Sequence, residues 1–456
     1  MNPYLPHTRD EIAQMLSVIG ADSMENLFDD IPEEIRLRSP LDLPAGLSEW
    51  EVERELDRLA SRNETHLISF LGGGSYDHLV PAAVRHVMSR PEFATAYTPY
   101  QPEISQGLLQ AIFEFQTMMC MLTGLDVSNA SLYDGATAAV EACAMALASK
   151  RQSDTILYSQ TLHPHTIEVL KTAFAGTTAK LVPVAAENGV TSSNELKKLL
   201  TPSTAALLVQ SPNAFGYVED FRGIEEHVHG INALFVISAN PLSLALLKSP
   251  GEWGADIAVG DTQVLGIPQS FGGPSAGFIT AREALLRKMP GRIVGQSVDN
   301  KGRRAFVLTL QAREQHIKRE RATSNICTNE ALVALGNAAY LAELGEQGFA
   351  ELCRRNAENA QYLFDSLTGR LGLATLHEQP FFNEFTIRLP LPAREVVAQM
   401  HSRGFLAGLS PDMLGPGWEQ RGVPAEALTI AVTEKRTKQE MDAYVDALRG
   451  VLHHGR

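Results

Sequence analysis

The sequence predicts an α/β protein with a large domain built on a mostly parallel sheet and a smaller C-terminal α+β domain. In the middle of the chain, short apolar stretches alternate with helical ones, which is typical of a parallel sheet covered by helices on both faces. The predicted strands are 155–159, 180–185, 205–210, 233–238 and 255–260, and the helices between them are 164–174, 193–200, 221–229 and 242–248. After residue 325 the pattern changes to long helical stretches followed by two strands and two helices.

Residues 1–66 carry helix signals and no strand signal, so we interpret them as a helical N-terminal extension. Thr8 with Glu11, and Ser48 with Glu51, have the spacing of capping boxes that begin helices. Gly20 is placed to end the first helix, because glycine readily adopts the left-handed conformation of a helix C-cap.

The large domain is predicted over 67–325, and the linker helix with the small C-terminal domain over 326–456. In the large domain, residues 105–123 have apolar side chains at helical spacing, and 136–149 form an Ala-rich helix suited to close packing on a sheet. The segment 277–281 is expected to add a return strand. The small domain is expected to contain strands 383–389 and 428–433 and helices 393–403 and 437–452.

The composition excludes several classes of protein. The 456 residues include 39 Lys and Arg against 53 Asp and Glu, which gives a formal net charge of −14. A nucleic-acid-binding protein needs a basic face, so no nucleic-acid partner is expected. We also expect no membrane span and no secretory signal, since neither apolar pattern occurs. The scattered cysteines predict free thiols, no zinc site and a reducing cytoplasm; they are Cys120, Cys143, Cys327 and Cys353.

Three short motifs are compatible with a binding site, but each has an ordinary structural explanation. Asp134 to Thr137 open the Ala-rich helix, where free N–H groups can receive an anion, yet Asp-Gly is also a common capping turn. His163 and His165 follow a strand, but no third metal ligand is evident. Gly72 to Gly74 lack the spacing of a phosphate-binding loop, so a turn is predicted there.

Residues 312–328 contain the most concentrated polar chemistry of the chain. A basic run precedes the segment Thr323-Ser324-Asn325; it comprises Arg313, His316, Lys318, Arg319 and Arg321. In an acidic chain such a run indicates an anion site, and a solvated helix face that ends in a turn explains it equally well. A Pro-punctuated loop at 94–107 carries Tyr97 and Tyr100, which either wall a pocket or lie on an ordinary surface crossing.

Several of these stretches match one family. The matching segments lie at 96–107 (AYTPYQPEISQG), 115–118 (FQTM), 129–134 (NASLYD), 250–256 (PGEWGAD), 289–292 (MPGR), 313–317 (REQHI) and 322–328 (ATSNICT). With them the chain resembles the glycine decarboxylase, or P-protein, of the glycine cleavage system over most of residues 65–330. It is similar to the N-terminal half of single-chain P-proteins, and its length resembles subunit 1 of the two-subunit form.

The resemblance implies a PLP-dependent transferase fold of the aspartate-aminotransferase type, fold type I. Such enzymes use a lysine to anchor pyridoxal 5′-phosphate (PLP) and an aspartate to keep its pyridine nitrogen protonated. At the corresponding positions this chain has Gln263 and Ser238, neither of which can supply that chemistry. The resemblance therefore implies that a partner subunit binds PLP covalently and that the isolated chain is inactive.

The same resemblance implies which residues this chain lends to its partner's site. Thr323 and Asn325 are expected in the partner's site, and Thr323 and Ser324 at the phosphate of the partner's PLP. Tyr97 and Tyr100 are expected to wall the glycine pocket, and Arg319 or Arg321 to steer a carboxylate. The chain's own former cofactor cradle would survive as a relic in Gly135, Thr137 and His163.

For the assembled enzyme, the resemblance implies glycine decarboxylation on PLP and transfer of the aminomethyl group to the lipoyl group of H-protein. It also implies a heterotetramer of two αβ pairs that works with T-protein and L-protein. Two alternatives stay open. One is a self-sufficient PLP enzyme with its lysine elsewhere, such as Lys248 or Lys301, and the other is a purely structural or regulatory scaffold.

Overall fold

A computed structural model describes residues 4, 6–37, 39–150, 152–415, 418 and 422–454. The chain divides into two units, 1–65 and 66–456. In the first unit, capping boxes at Thr8 and Ser48 begin α1 (Arg9–Ile19) and α2 (Glu49–Ala60), as the sequence predicts. A 3₁₀ turn, Met24–Phe28, lies between them. None of the described side chains of this unit is buried.

A seven-stranded sheet forms the centre of the second unit. Its strands are β2 (Val127–Ser128), β3 (Thr155–Ser159), β4 (Lys180–Val184), β7 (Thr204–Ser211), β8 (Leu234–Ala239), β9 (Ile257–Asp261) and β10 (Gly277–Ala281). They lie in the order β2-β10-β9-β8-β7-β3-β4. The five strands from β9 to β4 are parallel, and β10 returns antiparallel to β9, which confirms the predicted return strand.

Helices cover both faces of this sheet because its strands are buried on both sides. On one face, Ile156 and Val236 pack with α5 (Gly135–Ser149) and α6 (Pro164–Phe174). On the other face, alternate residues such as Leu157 and Phe235 pack with α8 (Ile224–His229). The remaining helices before the linker are α3 (Ala82–Met88), α4 (Gln106–Thr123), α7 (Ser193–Leu199) and α9 (Gln315–Lys318). Of the helices predicted between the strands, 242–248 is instead a short 3₁₀ turn, Pro241–Ala245, in which Asn240 and Ser243 hydrogen-bond the local backbone.

The C-terminal part follows the long helix α10 (Ala331–Leu371), which is interrupted at Gly345 by a left-handed residue. A three-stranded antiparallel sheet has β14 in its centre; its strands are β13 (Ala374–Thr375), β14 (Glu384–Arg388) and β16 (Ala427–Ala431). The helices α11 (Ala393–His401) and α12 (Lys438–His454) pack on it. The short strand β1 (Ile68–Ser69) pairs with β15 (Phe405–Leu406), and Phe70 is buried in this core, although the sequence assigned residues from 67 onward to the large domain.

Two small hairpins complete the second unit. One is formed by β5 (Ala186–Glu187) and β6 (Val190–Thr191), and the other by β11 (Ile293–Val298) and β12 (Arg304–Thr309). The four cysteines are free thiols, and burial raises the pKa of Cys143 to about 12. Every helix among the described residues is too short or too polar to cross a bilayer.

Candidate functional site

A cavity of about 370 Å³ opens where the parallel strands β7, β8 and β9 end. Ligands bind at the carboxyl ends of strands in folds of this class. The residues that line the cavity include Gly135, His163, His165, Ser238, Asn240 and Asp261. The fold thus brings Gly135, His163 and Ser238 together, whereas Thr137 is not among the lining residues.

Carboxylates of the chain itself occupy the start of α5 at this cavity. Asp134 accepts a hydrogen bond from the backbone N–H of Thr137 at 2.7 Å, and Asp261 accepts one from Gly135 at 3.0 Å. Ser275 also hydrogen-bonds Asp261. Burial raises the pKa of Asp261, and the nearby charge of Asp134 raises it further. A helix N-terminus that would otherwise receive a phosphate is therefore capped from within.

Gln263 is buried, and its amide is fully committed to the backbone. Its Oε1 accepts from the N–H of Tyr76 at 2.9 Å, and its Nε2 donates to the carbonyls of Tyr76 at 3.0 Å and Ile267 at 2.9 Å. The side chain is not among those lining the cavity; the next residue, Val264, is. The sequence indicated that an amine is missing here, but not that the amide fixes the loop around Tyr76.

The described residues lining the cavity include no lysine or arginine, so the cavity offers neither an amine for PLP nor a cation for its phosphate. The alternative lysines lie elsewhere. The ammonium group of Lys248 lies 4.0 Å from the ring centroid of Trp253, and Lys301 lies in the turn between β11 and β12. Together with Ser238 in place of an aspartate, these features do not fit a PLP site on this chain.

The two histidines of the cavity wall do not indicate a metal site. Their rings lie 5.0 Å apart, and the backbone N–H of His165 donates to Nδ1 of His163 at 3.2 Å. Within the described residues, no group of three or more His, Cys, Asp or Glu side chains is arranged to hold a metal ion.

The segment Thr323-Ser324-Asn325 lies outside this cavity, between the 3₁₀ turn Arg319–Arg321 and α10. Thr323 and Asn325 are exposed, while the following Ile326 is buried in the core that contains α5. The hydroxyl of Ser324 accepts from the N–H of Ile326 at 3.0 Å and hydrogen-bonds the buried Glu141, whose pKa burial raises to about 7. The segment is thus anchored at Ser324 and Ile326 and presents Thr323 outward.

Basic side chains surround Thr323 and Ser324 in a small surface depression, which we call the basic depression. Its cations are Arg287, Lys288, Arg313 and Lys318. Neither Arg319 nor Arg321 is among its lining residues, and Arg321 pairs with the exposed Glu320. Of the predicted basic run, Arg313 and Lys318 line the depression, and Arg287 and Lys288 join them from a segment that the sequence did not single out.

Tyr100 lies on a buried polar cluster that the sequence did not single out. The Nη2 of Arg292 donates to the Tyr100 hydroxyl at 3.0 Å, and the guanidinium carbon lies 5.1 Å from the ring centroid. Glu314 lies behind, with Oε2 at 3.9 Å from Nε of Arg292 and 3.8 Å from Nδ1 of His316. Burial raises the pKa of Glu314, while the positive charges of Arg292, Arg313 and His316 act in the opposite direction. Tyr97, in contrast, is 87% exposed.

Comparison with known proteins identifies the family of the chain. The family model described as glycine cleavage system P-protein matches residues 2–448. A probable glycine dehydrogenase (decarboxylating) subunit 1 from Carboxydothermus hydrogenoformans is 48% identical over 98% of this chain and 99% of the relative. The corresponding subunit 1 from Listeria innocua is 47% identical, with 98% and 99% covered.

Among solved structures, an inhibitor-bound glycine decarboxylase (P-protein) of the glycine cleavage system superposes with a TM-score of 0.88. It is 45% identical, and the match covers 98% of this chain and 100% of that one. An alanine–glyoxylate aminotransferase from Nostoc sp. shares the fold at 17% identity and a TM-score of 0.59, with 92% and 98% covered. These neighbours confirm the predicted fold type I of PLP-dependent enzymes. The chain belongs to the P-protein family of the glycine cleavage system.

Proposed function

We propose that this chain is the subunit of a two-subunit glycine dehydrogenase (decarboxylating) that does not anchor PLP, and that it completes the active site of a PLP-bearing partner. One observation carries the proposal. Among the described residues, those that line the cavity in the usual cofactor position include no amine, and carboxylates cap it, while the exposed Thr323 lies in a separate basic depression. This arrangement supports a phosphate contact made outside the chain's own cavity.

In the assembled enzyme, the hydroxyl of Thr323 donates a hydrogen bond to the phosphate of the partner's PLP, with Ser324 fixing the segment. The basic depression has four cations against one carboxylate, Glu314, and this excess of positive charge favours a dianion next to it. A hydrogen bond to a charged group contributes about 1.5–3 kcal/mol, or roughly tenfold or more in affinity. Tyr97 and Tyr100 wall the glycine pocket from this side.

PLP on the partner supplies an electron sink for the decarboxylation of glycine. The residues of this chain bind and orient the substrate and the cofactor, and they exclude water from the pocket. The aminomethyl group then passes to the lipoyl group of H-protein. The relatives' designation as subunit 1 supports the existence of a second subunit.

The phosphate contact is tested with Thr323→Ala and Thr323→Ser in the two-subunit complex. We expect Thr323→Ala to raise the dissociation constant for PLP about tenfold, and Thr323→Ser to stay near wild type because it keeps the hydroxyl. Fluorescence titration of the complex with PLP measures both. Thr172→Ala on α6, whose hydroxyl bonds only the local backbone, is the matched control. Unchanged PLP affinity in an intact Thr323→Ala complex would favour the inert scaffold instead.

The self-sufficient enzyme is tested on the isolated chain. We expect no aldimine absorbance with PLP and no borohydride-trapped adduct on Lys248, Lys301 or any other lysine, because no described lysine lines the cavity. Glycine–bicarbonate exchange is expected only after the partner is added. A trapped lysine adduct together with exchange by the isolated chain would refute the proposed division of labour.

A further inference from the structure

Arg292 is one of the most deeply buried cations of the second unit, with a side chain that is 2% exposed. It lies directly beneath Tyr100, a residue that is 54% exposed. Its Nη2 donates to the phenol oxygen at 3.0 Å, and the guanidinium packs against the ring. A buried guanidinium thus fixes the position of a half-exposed phenol.

This contact sets the direction in which Tyr100 can donate. Arginine has only donors, so the phenol oxygen is the acceptor in this bond and the phenol proton must point elsewhere. No acceptor for that proton lies within hydrogen-bond distance among the described residues. The hydroxyl of Tyr100 is therefore left as a donor without an acceptor among the described residues.

Tyr362 provides an internal comparison, because it makes the same kind of contact. Its oxygen accepts from Nη2 of Arg370 at 3.3 Å, but its proton is donated to Asp442 at 2.7 Å. In the pair on α10, Asp442 of the same chain accepts the phenol proton. The pair of Arg292 and Tyr100 has no such acceptor among the described residues.

The groups behind Tyr100 are also incompletely satisfied. Nε of Arg292 and Oε1 of Glu314 are buried and have no hydrogen-bond partner among the described residues. Leaving buried charged groups short of partners costs free energy, and such sites are often functional. The pair is best explained by what it holds in place, since Glu314 lies 3.9 Å from Nε of Arg292 and the guanidinium of Arg292 fixes Tyr100.

We propose that Arg292 is a positioning residue that presents Tyr100 as a hydrogen-bond donor to an anionic oxygen in the partner's site. This inference rests on the proposed function. The anionic oxygen belongs either to the carboxylate of glycine or to the phosphate of PLP. We assign it to the carboxylate, because Thr323 and the basic depression already serve the phosphate.

The test uses Tyr100→Phe and Arg292→Lys in the two-subunit complex. Tyr100→Phe removes only the hydroxyl, and we expect the KM for glycine to rise about tenfold with thermal midpoint and PLP affinity unchanged. Arg292→Lys keeps the positive charge next to Glu314 but loses the planar fork, so it should raise KM similarly. The double variant should be no worse than Tyr100→Phe alone, because both changes remove one interaction.

Tyr362→Phe and Arg303→Lys are the matched controls, since one loses a hydroxyl bonded by an arginine and the other replaces an exposed arginine. Both should keep the wild-type KM. If Tyr100→Phe lowers the affinity for PLP and leaves KM unchanged, the role of Tyr100 as a donor is still supported. Its acceptor is then the phosphate of PLP. Wild-type KM and PLP affinity in Tyr100→Phe would overturn the inference. If Thr323→Ala still weakens PLP binding in that case, the proposed function stands; if it does not, both fail.

Discussion

At the scale of single residues, Gln263 shows which conclusions follow from the sequence alone and which need the structure. The identity of the residue is enough to exclude an aldimine, because a carboxamide is not a nucleophilic amine. The three hydrogen bonds that tie the amide to Tyr76 and Ile267 follow only from the fold, since Tyr76 is distant in sequence. The residue is therefore structural here, and restoring the lysine does not restore a site.

We predict that Gln263→Lys destabilises the chain and does not create a PLP chromophore. The lysine has no acceptor for the backbone N–H of Tyr76, and leaving that buried group unpaired costs about 1–3 kcal/mol. Urea unfolding and the absorbance after addition of PLP measure the two effects. Gln269→Lys, an exposed change in the same loop region, should leave the unfolding midpoint close to wild type. A stable, yellow Gln263→Lys chain would contradict this interpretation.

Arg292 and Glu314 form a buried pair that the sequence does not indicate. Both lie in segments that match the family, but nothing in the local pattern favours them over Arg319 and Arg321. The structure separates these arginines by burial, because Arg292 is enclosed behind Tyr100 whereas Arg319 and Arg321 are exposed. Whether a given arginine is buried or exposed depends on long-range packing, which a local pattern does not contain.

At the scale of elements, the apolar runs predicted the central strands because strands buried on both faces need continuous apolar sequence. Very short elements were not predictable. The pairing of β1 with β15 involves two residues from each strand and joins segments more than 300 positions apart. The Gly-rich turn at 72–74 was predicted as a turn, but its partner on β14 was not, since Glu384 is also remote in sequence.

Glu384 connects β14 to that turn and makes the connection sensitive to pH. Its carboxyl group accepts from the N–H of Gly73 at 2.7 Å and from the Tyr76 hydroxyl at 3.0 Å. Burial raises its pKa from the ordinary 4.5 to about 7. The folded chain therefore binds more protons than the unfolded chain between these values, and this group's stabilising contribution is lost as the pH rises from about 4.5 to 7.

We predict that Glu384→Gln weakens this pH dependence. The shift corresponds to about 3 kcal/mol, so the wild-type urea midpoint should fall more between pH 5 and pH 7.5 than that of the variant. Glu378→Gln is a suitable control, because Glu378 makes no hydrogen bond or ion pair within the described residues. Equal pH dependence in wild type and Glu384→Gln would show that the buried carboxyl group does not titrate in this range.

At the scale of the whole molecule, the chain has the fold of PLP-dependent enzymes, but the described residues of its cavity do not provide the groups that anchor PLP. We predict that a complex with equal amounts of both polypeptides binds one PLP for every two chains. Spectrophotometric titration of a defined complex should reach its end point at that ratio, and sedimentation of the same sample tests the expected heterotetramer. An end point of one PLP per chain would require a second cofactor site on this subunit.

The carboxylate of Asp261 at the start of α5 has a consequence for a cell that makes the two polypeptides unequally. Because that helix start is already capped, we expect surplus copies of this chain to compete for the other polypeptide and not to sequester the vitamin-derived coenzyme. Imbalanced synthesis would then leave idle protein but would not deplete the pool of free coenzyme on which other enzymes depend.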